Sequence, residues 1–344
     1  MATSDVSARR PRADVWISAS ITLLLLVLTD LALSAWNRWP ERLPEHFSSS
    51  YLERYAAQSA LGSSLVVLGD SELWGYGVAP ADSPVAQLAR GLSGTRVTNL
   101  AYEAQTPINA DFVLRYLLAR GPRPRAVLVE LNPAAFNQTA TAYDTLNATL
   151  AELTVPSLVE PFDRGKLNGA TLQPPSPADR LDRFVAEHWL LYGSRVDIHQ
   201  ALFGDADLAT ALHRRVEPLL QPARQSRAAP YAATYDLTPL DAANVSYAYA
   251  EHLFRMLAAR HIPAIVVLPP VNHTLLHAYI DNAAYADNLR RITRLATGYH
   301  LTVVNADGLL GARYFLDNTH VNRAGAQRFA QALSAPVAHL LDVF

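Results

Sequence analysis

The chain has 344 residues, half of them hydrophobic, so it can bury the core of one large domain or two small ones. Its 29 basic and 31 acidic residues leave a formal net charge of −2, whereas nucleic-acid-binding proteins carry a basic excess. The absence of cysteine excludes disulfides, thiolate metal sites and a cysteine nucleophile. We therefore expect a folded protein without a nucleic-acid partner.

The first predicted element is an apolar stretch from Val15 to Trp36. About 22 residues at about 1.5 Å each can cross a hydrocarbon core of about 30 Å. The arginines at positions 9, 10 and 12 precede it, and the positive-inside rule places residues 1–14 in the cytoplasm. We predict a single-pass anchor over residues 15–36, a linker over 37–61, and an extracytoplasmic domain, periplasmic or extracellular, beyond. A cleaved signal peptide is the alternative, because Ala32 to Ala35 offers small residues.

One acidic residue, Asp30, interrupts the outer half of this apolar stretch. An ionised carboxylate is costly inside a bilayer unless it is paired or lies near the headgroups. Two interpretations remain open. The side chain reaches the outer interface, or it makes a polar contact with another membrane protein.

Short apolar runs recur beyond the linker, and helical stretches separate them. Such continuous apolar runs are typical of parallel strands that are covered on both faces. They predict an α/β fold over residues 62–344, with a five-stranded, doubly wound parallel sheet of the flavodoxin-like type. The predicted strands are Ser64 to Gly69, Arg96 to Ala101, Ala126 to Asn132, Ala264 to Pro269 and Leu301 to Asn305. The predicted helices are Pro84 to Leu92, Ile108 to Arg120, Tyr247 to His261, Tyr285 to Thr297 and Ala324 to Leu341.

The connection after the third predicted strand is too long for a plain loop. It contains a proline-rich segment over residues 172–180 and a predicted helix from Ala178 to Leu202. We interpret residues 133–246 as a mostly helical insertion that caps the sheet.

A serine, Ser71, follows the first predicted strand in the sequence Gly69-Asp70-Ser71. Ligands of open α/β sheets bind outside the carboxyl ends of the strands, so this hydroxyl would lie at the binding edge. A serine hydroxyl needs a base and a group that orients the base to become a strong nucleophile. Alone, the motif is equally typical of a turn with a serine at a helix N-cap.

A histidine and an aspartate lie three residues apart near the C-terminus, at His320 and Asp317. They directly precede the last predicted helix, so both side chains can face the same sheet edge. Alone, this pair is also typical of a solvated helix start. The combination with Ser71, at the first and last strands of one sheet, predicts a catalytic triad in which Asp317 orients His320.

The pairing of VVLGDSELWGYG with FLDNTHVNRAGAQRFAQAL resembles the GDSL, or SGNH, family of serine esterases and acyltransferases. The resemblance covers roughly residues 62–132 and 262–340. It implies the SGNH hydrolase fold, with Ser71 as nucleophile, His320 as base and Asp317 as the orienting carboxylate. It implies no cofactor and no metal.

The family's oxyanion hole is matched less closely. The resemblance implies backbone donors at Ser71 and at Ala104, where the family has a glycine. The family's Gly-x-Asn-Asp block is replaced here by Asn132-Pro133, so Asn132 is the preferred side-chain donor and Asn137 the second choice.

A narrower resemblance is to the anchored D-alanyl transfer protein DltD of teichoic acid loading and to SGNH proteins that act with polysaccharide O-acyltransferases. It rests on the anchor, the insertion, Ser71-Glu72-Leu73, Asn132-Pro133 and Pro270-Val271-Asn272. It implies a shared architecture more than a shared substrate. The anchor and the insertion lead us to expect a serine acyl hydrolase or O-acyltransferase that acylates or deacylates a cell-envelope polysaccharide. The acyl donor would be an ester or thioester and the acceptor a glycan or polyol, with a membrane-bound O-acyltransferase as candidate partner.

Two alternatives stay open. One is a lipid-directed esterase or thioesterase, and the other is a non-catalytic assembly subunit that keeps the fold. His273 and His277, four residues apart, are either polar loop residues or a pair of metal ligands on one helical face.

Overall fold

The computed structural model describes residues 13–36, 64–120, 123–137, 158–167, 176–193, 233–235, 240–241 and 243–343. In chain order, the elements in these ranges are α1 (Ala13–Trp36), β1 (Ser64–Leu68), α2 (Ser71–Trp74), α3 (Pro84–Gly91), β2 (Arg96–Asn99), α4 (Pro107–Arg120), β3 (Ala126–Glu130), α5 (Pro161–Lys166), α6 (Pro177–His188), α7 (Leu190–Gly193), α8 (Val245–Ala259), β4 (Ala264–Leu268), α9 (His273–Ile280), α10 (Ala283–Gly298), β5 (Thr302–Asn305) and α11 (Arg323–Val343). Short 3-10 helices lie at Pro80–Asp82, Pro133–Phe136, Ala233–Tyr235 and Ala312–Tyr314.

The five strands form one parallel sheet in the order β2-β1-β3-β4-β5. This order confirms the predicted doubly wound α/β fold. Every residue of β1, β3 and β4 is buried, because these strands lie inside the sheet and consist almost entirely of apolar residues. The chain passes to opposite sides of β1 when it forms β2 and β3. The switch point between β1 and β3 therefore opens a crevice at their carboxyl ends.

The core lies between the sheet and its covering helices. Helix α4 packs against α8, and α3 packs against α11. Their apolar side chains join those of the strands in one buried cluster. The predicted helices that alternate with the strands, and the last predicted helix, are present. The interpretation of His273 and His277 as loop residues is wrong, because both lie in α9.

The described parts of residues 133–246 are helical or irregular, and the rest of this predicted insertion lies outside the described residues. The predicted helix from Ala178 to Leu202 corresponds to α6 and α7, interrupted at Trp189, and its continuation beyond Gly193 lies outside the described residues. The hydroxyl of Tyr235, which is buried, lies 3.3 Å from Asn132 Oδ1 at the end of β3. The insertion thus reaches the carboxyl edge of the sheet.

A second contact fastens the insertion to the helices, and we call it the clamp (Asp111, Arg115, Glu160, Asp163 and His252). The guanidinium of Arg115 donates to both carboxylate oxygens of Asp163, at 2.7 and 2.9 Å, and lies 2.5 Å from Asp111 Oδ2. The imidazole of His252 lies 2.8 Å from Asp111 and 3.2 Å from Glu160. The clamp joins α4, α8 and the start of α5.

Helix α1 contains the stretch Val15–Ala32, with a mean hydropathy of 2.0 and no residue buried by the rest of the chain. It is long and apolar enough to cross a membrane, and a signal sequence near an N-terminus has the same features. The Asp30 carboxylate accepts a hydrogen bond of 2.7 Å from the backbone N–H of Leu191 in α7. The predicted cytoplasmic tail lies outside the described residues except for its last two positions, and the linker lies wholly outside them.

Candidate active site

The structure brings Ser71, His320 and Asp317 together at the carboxyl edge of the sheet. Ser71 begins α2, three residues after the end of β1, and His320 lies three residues before α11. The His320 Nε2 is 2.9 Å from Ser71 Oγ, and its Nδ1 is 2.7 Å from Asp317 Oδ2. This continuous chain of hydrogen bonds has the geometry of a nucleophile, a base and an orienting carboxylate.

The loop that carries the histidine is held from two sides. Asn272 donates from its backbone to the carbonyl of Asn318 at 2.8 Å and from its side chain to the carbonyl of Asp317 at 3.0 Å. The ring of Tyr76 packs against the His320 imidazole, with centroids 4.3 Å apart. These contacts restrict the imidazole to the orientation in which it meets Ser71.

Asp317 has the electrostatics that its predicted role requires. Partial burial opposes its ionisation, but hydrogen bonds from the His320 side chain and from the backbones of His320 and Thr319 outweigh it and lower the pKa of Asp317. Asp317 is therefore ionised at neutral pH and can stabilise an imidazolium at His320.

The three predicted oxyanion donors point at one group, and that group is the side-chain carboxylate of Asp70. The backbone N–H groups of Ser71 and Ala104 both donate to Asp70 Oδ1, at 2.6 and 2.7 Å. Asn132 Nδ2 donates to Asp70 Oδ2 at 3.2 Å. We call the space between these three donors the donor pocket, and the Asp70 carboxylate fills it.

The backbone of Ala104 has a conformation that glycine adopts more readily than alanine. Its φ angle is +59°, in the left-handed region that glycine adopts without steric cost. This conformation directs the N–H of Ala104 into the donor pocket. By contrast, the second-choice donor Asn137 donates a hydrogen bond from its side-chain amide to the carbonyl of Thr234 at 3.0 Å. This contact joins two parts of the predicted insertion.

Two further carboxyl groups lie beneath Ser71, and with Asp70 we call them the acid cluster (Asp70, Glu72 and Glu130). Glu72 accepts a hydrogen bond of 3.0 Å from Asn132 Nδ2 and a second from the hydroxyl of Thr319. Glu130 accepts the backbone N–H of Leu73 at 3.2 Å. All three carboxyl groups are buried.

Burial raises the pKa of every member of the acid cluster. For Glu72, burial acts together with the negative charges of Asp70 and Glu130 and raises the pKa well above its usual range. For Glu130, burial and the charge of Asp70 raise the pKa to about 8. Buried carboxyl groups with raised pKa values cluster at functional sites, because their cost in stability is tolerated where chemistry needs it.

The acid cluster was not predicted from the sequence. A first signal in the sequence is Glu130 itself, a charged residue at the end of the otherwise apolar strand β3. Gly69 is a second signal, because a Cβ at that position would lie only 2.7 Å from Glu130 Oε2. The glycine thus lets the buried carboxyl approach the start of α2.

The two histidines of α9 lie apart from the acid cluster. His273 Nε2 is 2.9 Å from Asp307 Oδ2, and the hydroxyl of Tyr285 donates to Asp307 Oδ1 at 2.7 Å. His277 Nδ1 is 3.0 Å from the carbonyl of Thr274 in its own helix. Among the described residues, no group of three or more metal-ligating side chains includes this pair.

Several solved structures are similar to this chain at low identity. A protein from Desulfitobacterium hafniense DCB-2, assigned to the lipolytic G-D-S-L family, is 11% identical and has a TM-score of 0.39, over 79% of this chain and 98% of its own. A lipolytic G-D-S-L family member from Veillonella parvula DSM 2008 is 10% identical, with a TM-score of 0.37 over 78% of this chain and 94% of its own. A GDSL-like lipase from Bacteroides thetaiotaomicron VPI-5482 is 9% identical, with a TM-score of 0.37 over 86% of this chain and 98% of its own.

No family model matches the sequence, and no curated protein matches it. The similarity to the solved structures is too distant to assign an activity to this chain.

Proposed function

We propose that the chain is a serine acyl hydrolase or O-acyltransferase, anchored by α1 with its α/β domain outside the cytoplasm. The observation that supports this proposal most directly is the hydrogen-bonded chain from Ser71 Oγ through His320 to Asp317. An imidazole nitrogen 2.9 Å from a serine hydroxyl, with the other nitrogen bonded to an ionised carboxylate, is arranged to accept the hydroxyl proton.

The proposed reaction has two steps. In the first, Ser71 Oγ attacks the carbonyl carbon of an ester or thioester while His320 Nε2 takes the hydroxyl proton. The tetrahedral intermediate then collapses, the leaving alcohol or thiol takes that proton from His320, and an acyl-serine remains. In the second step, water or an acceptor hydroxyl gives its proton to His320 and attacks the acyl-serine. The new tetrahedral intermediate then releases a carboxylic acid or a new ester, and His320 returns the proton to Ser71 Oγ.

The proposed acceptor class is a polysaccharide or polyol of the cell envelope, and the candidate partner is a membrane-bound O-acyltransferase. Two features favour transfer near a membrane: the apolar exposed helix α1 and the insertion that reaches Asn132 at the site. A lipid-directed esterase or thioesterase would use the same triad with an apolar acyl donor.

A second candidate function is a non-catalytic assembly subunit. The filled donor pocket favours it, because an oxyanion has no free donor there while Asp70 holds all three. The two candidates differ in one measurable property, the reactivity of Ser71.

That reactivity can be measured on the full-length chain in detergent with a fluorophosphonate, which phosphonylates activated serines. Intact mass would follow the wild type, Ser71→Ala and the control Ser334→Ala, a serine of α11 that donates to the carbonyl of Ala330. An enzyme predicts one label per chain in the wild type and the control, and none in Ser71→Ala. Absence of label from all three folded proteins would leave the assembly subunit as the better account.

A label establishes the nucleophile, and a second assay addresses the acceptor. The wild type would be given an acetyl ester with and without a purified envelope polysaccharide, and acetate and acetylated glycan would be quantified. Acetylated glycan that is absent from Ser71→Ala supports transfer, whereas release of acetate alone supports hydrolysis.

A further inference from the structure

The carboxylate of Asp70 accepts hydrogen bonds from the three groups that we predict as donors to the oxyanion of an acyl-transfer intermediate. Its Oδ1 accepts the two backbone N–H groups that flank the site, from Ser71 at 2.6 Å and Ala104 at 2.7 Å. Donors at 2.7–3.1 Å from a single negative oxygen are typical of an oxyanion hole. The donor pocket therefore already holds an anionic oxygen, and that oxygen belongs to the protein.

This occupancy is incompatible with simultaneous binding of a substrate oxyanion. A backbone N–H has one proton, and in this structure the protons of Ser71 and Ala104 both point at Asp70. An oxyanion that binds the same two N–H groups would lie next to the Asp70 carboxylate. Two negative charges so close together repel each other strongly in a buried site.

We propose that Asp70 is an internal plug: its carboxylate closes the donor pocket in the resting chain and leaves it when the carbonyl oxygen of an acyl donor enters. This inference rests on the proposed function, since only an acyl-transfer site needs the pocket open. With the plug in place, the chain hydrolyses acyl donors slowly. The acyl-serine forms at a higher rate when Asp70 is displaced.

The donor pocket is built to persist after the carboxylate leaves. Asn132 keeps its other contacts, because its Nδ2 also donates to Glu72 and its Oδ1 accepts the backbone N–H of Ala134 at 3.0 Å. Ala104 retains the left-handed backbone that directs its N–H inward. The three donors can thus exchange one anionic oxygen for another without being rebuilt.

The surroundings of Asp70 also make its departure feasible. Among the described ion pairs, none links Asp70 to an arginine or a lysine, and its neighbours Glu72 and Glu130 are acidic. Burial raises the pKa of Asp70, so the buried carboxylate is held at a cost that its hydrogen bonds only partly offset. A carboxylate in this position is more easily displaced than one held by a cation.

The test compares labelling rates of three full-length proteins in detergent: wild type, Asp70→Ala and Asp70→Asn. The alanine variant removes the plug, whereas asparagine keeps an amide oxygen of nearly the same shape that can still accept both N–H groups. The plug predicts fluorophosphonate labelling of Asp70→Ala at least about tenfold faster than wild type, with Asp70→Asn much closer to wild type. Thermal unfolding of each variant shows that it is folded.

The outcomes separate this inference from the proposed function. Labelling of Asp70→Ala that is equal to or slower than that of the wild type would overturn the plug and leave the enzyme standing. If neither the wild type nor a folded Asp70→Ala is labelled, both the plug and the proposed function are overturned.

A structure of the phosphonylated wild type decides the question if Asp70→Ala does not fold. The plug predicts the phosphoryl oxygen within hydrogen-bond distance of the N–H groups of Ser71 and Ala104, with the Asp70 carboxylate moved away from both. A phosphoryl oxygen bonded elsewhere, with Asp70 still holding the two N–H groups, would show that the carboxylate is a fixed support.

Discussion

The clamp and the acid cluster each contain buried carboxyl groups, Asp111 and Asp163 in the clamp and all three members in the acid cluster, and these are neutralised in different ways. In the clamp, Asp163 accepts hydrogen bonds from both terminal nitrogens of the Arg115 guanidinium, and Asp111 contacts Arg115 and His252. In the acid cluster, no described cation pairs with Glu72 or Glu130, and the cluster relies on protonation and neutral donors. Pairing offsets the desolvation cost of a buried carboxylate, whereas buried carboxyl groups without a cation stay costly and cluster at functional sites.

The same contrast separates the two histidines. Both His320 and His252 contact an aspartate, at 2.7 and 2.8 Å. The other nitrogen of His320 meets the Ser71 hydroxyl, whereas that of His252 meets the Glu160 carboxylate. The hydrogen bond with Asp111 outweighs burial and raises the pKa of His252, so it favours the charged form. A histidine–aspartate contact is therefore common to both sites, and the third partner distinguishes a base from a structural link.

The largest expected effect would come from breaking each histidine in turn. His320→Gln should slow fluorophosphonate labelling of Ser71 by about 10³-fold or more, because no base remains to take the hydroxyl proton. His252→Gln should leave the labelling rate within a few-fold of wild type and lower thermal stability instead. If His252→Gln slowed labelling as strongly as His320→Gln, the distinction between the two histidines would be wrong.

The second expected effect concerns the pairing in the clamp. Asp163→Ala leaves the buried Arg115 without its bidentate partner and should lower the free energy of unfolding by about 3–5 kcal/mol. The matched control is Asp287→Ala, which removes a surface carboxylate that pairs with Arg291 at 2.7 Å in α10 and should lower the free energy of unfolding far less, because solvent screens the pair. Urea unfolding in detergent measures both. Equal losses of unfolding free energy in the two variants would show that burial does not raise the cost of breaking an ion pair in the clamp.

A third effect follows from the unpaired carboxyl of Glu130. Its pKa is about 4.5 in the unfolded chain and is raised to about 8 in the fold, so the folded chain binds more protons between these values. The contribution of Glu130 to stability should therefore be fully present below about pH 4.5 and be lost as the pH rises from there through 8, by roughly 1–3 kcal/mol since the proton is shared with Glu72.

Glu130→Gln should remove this part of the pH dependence, because glutamine has no proton to lose. Unfolding free energies at pH 5, 7 and 9 would compare the variant with the wild type. A variant that loses stability with pH as steeply as the wild type would place the titration in another group.

The smallest expected effect tests strain at the donor pocket. An alanine in the left-handed region costs about 1–2 kcal/mol, and Ala104 is in that region. Ala104→Gly should therefore raise the free energy of unfolding by up to about 1 kcal/mol after the greater flexibility of the unfolded glycine is counted. Its labelling rate should stay near wild type. A loss of stability would show that the backbone at Ala104 is not strained.

Much of the fold was predictable because the signals are local. The strands β1, β3 and β4 are continuous apolar runs, and their positions follow from that pattern alone. Helix α9 was missed because it has eight residues and begins with two histidines separated by only three positions, a pattern with weak periodicity.

The triad was predictable for a different reason. Ser71 and the pair Asp317 and His320 lie directly beside the first and last elements of a fold whose strands meet at one edge. The occupant of the donor pocket could not be predicted, because the direction of the Asp70 side chain depends on Ala104 and Asn132, which lie far away in the sequence. The burial of Glu72 and Glu130 depends on the same tertiary contacts.

The measurement that tests the central claim most directly is capture of the acyl-serine. The full-length chain would be quenched in acid after brief exposure to an activated acetyl ester, digested with trypsin and examined by mass spectrometry, with Ser71→Ala beside it. The account predicts one acetyl group on Ser71, within the tryptic peptide of residues 55–90, and none on that peptide in Ser71→Ala. Acetyl groups confined to Lys166, the single lysine of the sequence, or equal on wild type and variant, would contradict it.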